Sequence, residues 1–258
     1  IGTRGMISVT GEEGGHGVRC GTSIADLAAG MYGAFGIVMA LRVKDKTGEG
    51  QRIDVSMLEG QMSLLNVMIS GYLADGELPK PMGTAYKALL PYQTFRTQTR
   101  DLALAVGSEK LWKIFCPAIG RPDLTDDPRF KTNQQRAQNR DALIDILQQV
   151  FLTRSFEDWE QVLLKVGVPV GAINNIEQLI NHPQVKARGS LVDMDHPRAG
   201  PVKLVGVPVR LSKTPGAVRS PSPRLGEHTA ETLKSVLGLS DTEVQRLIET
   251  RVVQAVKA

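Results

Sequence analysis

The run LAAGMYGAFGIVMAL, Leu27–Leu41, constrains this chain more than any other stretch. Apolar residues fall on every side of the helix it would form, so that helix needs cover all round. Thr22 and Ser23 are N-cap candidates, and Asp26 falls in the first turn. The basic residues from Arg42 to Lys46 suit the helix C-terminus, and Thr47, Gly48 and Gly50 end it. Gly30, Gly33 and Gly36 recur at helical spacing. A helical glycine costs about 1 kcal/mol against alanine, so three of them predict a backbone or ligand pressed against that face. Bounded by Asp26 and Arg42, the run is short for a bilayer span and reads as a buried helix of a soluble protein.

The elements after this helix set the fold class. QRIDVSM, Gln51–Met57, alternates polar and apolar residues and reads as a strand, and Leu58–Leu73 reads as a second helix. Helix, strand and helix in succession indicate an α/β layer. The polar, proline-containing segment Ala74–Met82 is the best linker. Beyond it, PYQTFRT and DLALAV are two strands either side of a turn at Gln98–Arg100. Helical patterns come next at Glu109–Cys116, Arg136–Leu152 and Ser155–Val166, then a short strand and helix in VPVGAINNIEQLIN. This makes an α+β module. From His182 onward short strands (SLVDMDHP, GPVKLVGVPVRLS) lead to two amphipathic helices, Thr229–Leu237 and Asp241–Thr250, the latter with Ser240 and Glu243 placed as a capping box.

The charge balance bears on partners. The formal net charge of +4 would suit an anionic partner, but the basic residues are scattered and no nucleic-acid motif is present. No nucleic-acid or membrane partner is expected. Cys20 and Cys116 form neither a disulfide framework nor a metal spacing, which points to a reducing, cytoplasmic compartment. His16, His182, His196 and His228 make no paired ligand motif, so no metal is expected. GxSxG and GxxxxGK[ST] are both absent.

Asp26 is the acid of interest. In the bland account it serves the helix dipole. In the sharper one it is a partly buried carboxylate beside unpaired N–H groups, able to attack an acyl thioester while those donors stabilise the oxyanion. The residues alone leave both open.

The segment GTSIADLAAGMYGAFGIVMALRVKDKTGEGQRIDVSMLEG resembles the class III (CaiB/BaiF) CoA-transferases, whose pattern sets an Asp in a G-x-x-x-x-D-x-x-x-G context before a Lys-Thr-Gly-x-Gly-Gln turn. TGEE, LLPYQTF, LAVGSEKLW, GVPVGAINNIEQLINHPQVKARG and SPRLGEHTAETLKSVLGLS match the same family in order along nearly the whole chain. Within it, MGTAYKALLPYQTF and GAINN look most like enzymes pairing succinyl-CoA with another dicarboxylic acid.

That resemblance implies an α/β fold with a Rossmann-like large domain, incomplete at its N-terminus, and a smaller α+β domain, in two interlocked subunits forming a homodimer. The division it implies is 1–73 for part of the large domain, 74–83 for a linker, 84–183 for the small domain and 184–258 for a return to the large one. It implies CoA transfer between an acyl-CoA, succinyl-CoA in the first instance, and a carboxylic acid of the dicarboxylate kind. Asp26 would be the catalytic residue, carrying an aspartyl anhydride and then an aspartyl-CoA thioester. The CoA thioester is a substrate and no tightly bound cofactor is implied. Residues contacting CoA are not placed, because in family members most of them lie in an N-terminal third that this chain lacks. An inactive fragment is therefore one alternative. A second is a 2-methylacyl-CoA racemase, which uses the same Asp as acid/base and places a further acid near Glu109, here read as an exposed helix-start residue. In the GEHT signature, Gly226–Thr229, Thr229 is expected to cap a helix.

Overall fold

The computed structural model describes residues 4–255. Their chain divides into two compact units, one ending at Ile173 and the other beginning at Asn174.

The first unit opens with a short helix α1 (Arg4–Ile7), an irregular glycine-rich loop, and the long helix α2 (Ile24–Thr47), which Gly48 ends in a left-handed conformation with its N–H on the Lys44 carbonyl. Two short helices come next, α3 (Met57–Leu64) and α4 (Asn66–Asp75). Contact between α2 and α3 is close because both are small where they meet: a Cβ at Gly60 would lie 3.5 Å from the Tyr32 ring and 3.8 Å from the Ala28 methyl. Tyr32 and Ser63 share a hydroxyl–hydroxyl hydrogen bond of 2.5 Å across the same seam.

Three expectations are corrected in this region. The first concerns burial of α2. Only Ala25 and Ala28 are buried, while Phe35 is 63% and Met39 64% exposed. One face meets α3, and nothing among the described residues covers the others. By length and composition alone α2 could cross a membrane, whereas the shorter run Leu27–Leu41 argues against a span. The second is the strand at 51–57: residues 51–56 form no strand, and among the described residues no strand pairs with them, while Met57 already begins α3. Ile53 instead sends its Cγ2 to within 3.0 Å of where a Gly36 Cβ would stand, whereas nothing presses on Gly30 or Gly33. The third is the helix at 58–73, which breaks at Leu65.

The strands read at PYQTFRT and DLALAV form, as do the helices at 109 and 155, whereas the helix read at 136–152 is two helices parted at Asn139. Strands β1 (Tyr92–Phe95), β2 (Leu102–Ala105) and β3 (Val170–Ala172) build an antiparallel sheet in the order β1-β2-β3, with Phe95 opposite Leu102 and Leu102 opposite Ala172. Between β2 and β3 run α5 (Glu109–Ala118), a 3₁₀ turn (Pro122–Thr125), α6 (Asn133–Gln138), α7 (Arg140–Phe151) and α8 (Phe156–Lys165). Their apolar stripes converge on one core, in which Phe95, Leu104, Trp112, Phe115, Leu147, Phe151 and Trp159 are buried. Ser108 and Ser155 cap α5 and α8 by accepting from Leu111 and Asp158 N–H, each worth about 1 kcal/mol.

The second unit holds α9 (Ile176–Asn181), α10 (Pro183–Ala187), an antiparallel ribbon of β4 (Leu191–His196) and β5 (Gly200–Val205), and the helices α11 (Thr229–Leu237) and α12 (Asp241–Glu249). The Ser240–Glu243 capping box is present. Thr229 does not cap α11: the N-cap position is His228, which makes no side-chain cap bond, and Thr229 is already the first helical residue.

Candidate active site

Asp26 sits in the first turn of α2, where its side chain is exposed rather than partly buried. The buried positions around it explain this: Ala25 and Ala28 are the buried residues of α2, Ala28 lying against Gly60 of α3, and the helical rotation turns residue 26 away from them. Its carboxylate makes no side-chain hydrogen bond or ion pair among the described residues.

The helix entrance offers donors. Ser23 occupies the N-cap position without a side-chain cap bond. The Ile24 N–H reaches the Thr22 carbonyl at 3.0 Å and Leu27 N–H reaches the Ser23 carbonyl at 3.1 Å. Between them, the N–H groups of Ala25 and Asp26 find no acceptor among the described residues. Two free backbone donors at the positive end of a long helix next to a carboxylate are a chemically competent place for an oxyanion. On the facing helix Gln61 is almost fully buried. Its amide N–H donates to the Met57 carbonyl, but its Oε1 has no partner.

The loop leading into α2 is tightly folded. Val18 N–H donates to the Thr10 carbonyl at 2.7 Å, closing residues 10–18 into a compact loop. Gly17 passes so near the backbone of Ile7 that a Cβ there would stand 2.1 Å from the Ile7 carbonyl oxygen. The loop tip borders a cleft of about 360 Å³, with Glu12, Glu13, Thr84, Gln93, Arg140 and Asp145 among its walls. Asp26 does not line this cleft.

Glu109 is the exposed helix-start residue that the sequence suggests, with partners the sequence does not announce. At the head of α5 both of its carboxylate oxygens are engaged. Oε1 accepts from Asn133 N–H at 2.7 Å and from Arg136 Nη2 at 3.2 Å, and Oε2 accepts from Arg136 Nη1 at 3.0 Å. Partial burial works against its charge, but the Arg136 guanidinium and the Asn133 N–H outweigh it and hold the carboxyl below its ordinary value. Sequence reasoning missed Arg136, which is 1% exposed. Its partner Glu109 lies 27 residues away and Leu90 lies 46 away, and no local pattern announces either.

Among the described residues no group of three or more His, Cys, Asp or Glu side chains could hold a metal ion.

This chain belongs to CoA-transferase family III, whose family model matches residues 2–229. It is similar to the succinyl-CoA:glutarate CoA-transferase of Homo sapiens, 36% identical over 250 residues that cover 96% of this chain and 57% of that protein. The succinate–glutarate CoA-transferase of Agrobacterium fabrum is 34% identical over 232 residues, covering 90% and 58%. Among solved structures, a CaiB/BaiF family protein from Brucella suis superposes with a TM-score of 0.73 at 33% identity, covering 89% of this chain and 60% of that one. A Mycobacterium tuberculosis protein superposes at 0.76 and 22% identity, covering 88% of this chain and 60% of that one, which speaks for the fold alone. The α/β class is thus the one shared with CaiB/BaiF structures, and the chain spans somewhat more than half the length of these relatives.

Proposed function

We propose that this protein moves coenzyme A from an acyl-CoA donor, succinyl-CoA in the first instance, to a carboxylic acid of the dicarboxylate class. The observation that carries the reading is Asp26 at the entrance of α2, beside two unpaired backbone N–H groups, in a chain similar over nearly all its length to transferases named for succinyl-CoA and glutarate. A carboxylate held there attacks the thioester carbonyl. The C–S bond breaks, CoA leaves as thiolate, and Asp26 carries a mixed anhydride. The thiolate then adds to the aspartyl carbonyl, releasing the donor acid and leaving an aspartyl-CoA thioester. The acceptor carboxylate repeats both steps in reverse. The Ala25 and Asp26 N–H groups would stabilise the oxyanion of each addition.

Both intermediates hydrolyse, so the reading needs water kept from Asp26. Among the described residues nothing covers it. We assign that cover to the interlocked homodimer, which with a cytoplasmic location and the division into residues 1–73, 84–183 and 184–258 forms part of the same proposal. Such an assembly would also cover the apolar faces of α2, in keeping with a protein that does not enter a membrane.

The racemase reading is weaker on one point: Glu109 is tied to Arg136 and Asn133 and is held charged, which suits a structural anchor and not a proton donor.

The test is an acceptor screen. The full-length protein is mixed with succinyl-CoA and a panel of carboxylic acids, and new acyl-CoA species are read by mass spectrometry. A hydroxylamine quench before acceptor is added should leave a hydroxamate on the peptide carrying Asp26, absent in Asp26→Ala. Exchange of a substrate α-proton with solvent and no new acyl-CoA would instead establish the racemase.

A further inference from the structure

Glu13 and Arg140 are 127 residues apart in sequence and joined in space, with Arg140 Nη1 3.0 Å from Glu13 Oε2 and 3.3 Å from Oε1. Arg140 opens α7, whose Leu143, Leu147 and Phe151 are buried in the core of the α+β module, so the guanidinium is borne by a rigid support. Asp141 shares it at 3.3 Å. A backbone bond reinforces the junction: Gly83 N–H donates to the Gly11 carbonyl at 2.8 Å, and Gly83 lies before β1. The tip of the loop closed by Thr10 and Val18 is thereby tied to the module at two points. From Val18 only residues 19–23 separate that loop from the head of α2. Elsewhere, α2 packs mainly on α3, and α3 on α1 and α4.

We infer that the Glu13–Arg140 ion pair is a clasp that positions Asp26, fixing the entrance of α2 against the α+β module through the closed loop 10–18. The inference rests on the reading of Asp26 as acyl carrier and adds to it the pair that sets where that carboxylate stands. An ion pair with an exposed carboxylate and a half-buried guanidinium shifts a closed-to-open equilibrium only modestly, by about two- to fivefold. Placement of a nucleophile is sensitive to small displacements, so the shift should surface in turnover and not in binding of the thioester. Glu13 and Arg140 act through Asp26 and touch no reacting atom.

The experiment is a double-mutant cycle in the full-length protein with Glu13→Gln, Arg140→Gln and both together. It reads kcat and KM for succinyl-CoA with a productive acceptor, and hydrogen exchange at the Val18 and Gly83 amides. Each single change should lower kcat by about two- to fivefold with KM unmoved, and the double should lose no more than the worse single. Arg140→Lys, which keeps a cation facing the loop, should recover most of kcat. Val18 and Gly83 should exchange faster in every variant without the pair. Unchanged exchange at both amides overturns the clasp, whatever the activity. Faster exchange with unaltered kcat, or with losses that simply multiply, overturns its role in positioning. A wild-type protein that transfers no CoA to any acceptor sinks the reading of Asp26 and this role together, while the exchange data still decide whether the clasp exists.

Discussion

The guanidinium of Arg136 lies 4.7 Å from the centroid of the Trp112 ring, inside the core of the α+β module. A buried cation survives there because every direction is answered. Trp112 offers its π face, Leu90 and Phe130 offer carbonyls at 2.7 and 2.9 Å, and Glu109 closes the remaining side. Arg136→Met should therefore destabilise by about 3 kcal/mol, since it leaves two buried carbonyls without donors and the carboxylate without its cation. Denaturant midpoints would show it. Arg136→Lys should lose nearly as much, because one ammonium cannot reproduce the planar fork.

Glu109 gives the same cluster a pH signature. Its carboxyl is held below the ordinary value of 4.5, so the folded state binds its proton less readily than the unfolded chain does. That contribution is complete above the unfolded value and is lost as pH falls through the folded one. Wild-type stability should thus drop faster below about pH 4.5 than that of Glu109→Gln. Thermal midpoints taken from about pH 6 to about pH 3 would reveal the difference, and parallel curves would count against it.

Much of this architecture is legible in the chain. Ser155 with Glu157 and Asp158 announces α8, and Ser240 with Glu243 announces α12, because caps are local chemistry. The helix read at 136–152 starts earlier and breaks at Asn139, whose amide donates to the Gln135 and Arg129 carbonyls in competition with helical continuation. An asparagine there is a usable signal. The break at Leu65 carries none. Gln51–Met57 alternates like a strand, but alternation specifies a face and not a neighbour. For α2, an all-round apolar pattern states that cover is required and is silent on what provides it. Asp26 is found through the motif around it, whereas its exposure depends on what else is folded nearby. Glu109 and Arg136 meet across distant elements, beyond the reach of any local reading.

The two cysteines should separate cleanly under a thiol reagent. Burial of Cys116 in the core pushes its thiol up to about 12, with the Thr125 hydroxyl and Arg136 only partly opposing the shift. Cys20 lies in the partly exposed link before α2. At about pH 8, iodoacetamide should modify Cys20 and spare Cys116 until the protein is unfolded. Peptide mapping that finds Cys116 alkylated in the native protein would mean the core opens far more readily than its packing allows.

Gly17→Ala tests the loop before α2 without touching a charge. A Cβ there would stand 2.1 Å from the Ile7 carbonyl oxygen, a distance no rotamer change relieves because both partners are backbone. The loop closed by Thr10 and Val18 must open or shift, at a cost of about 1–3 kcal/mol. The damage should be local: limited proteolysis should cut more readily between residues 8 and 22, while the melting of the α+β core stays close to wild type.

Asp26 itself should be nearly silent in stability and decisive in activity. Its carboxylate touches no other side chain among the described residues, so Asp26→Ala forfeits only its interaction with the helix dipole, below about 1 kcal/mol. The α2 entrance should persist and the unfolding midpoint should hardly move. Asp26→Glu is the sharper variant. It keeps the charge and the nucleophile but carries the carboxylate one methylene further from the Ala25 and Asp26 N–H groups, and misplacement on that scale costs on the order of 100-fold in rate. Rapid-quench release of succinate from succinyl-CoA should therefore slow by about that factor in Asp26→Glu and vanish in Asp26→Ala. Equal release from all three proteins would mean that the acyl group never rests on this residue.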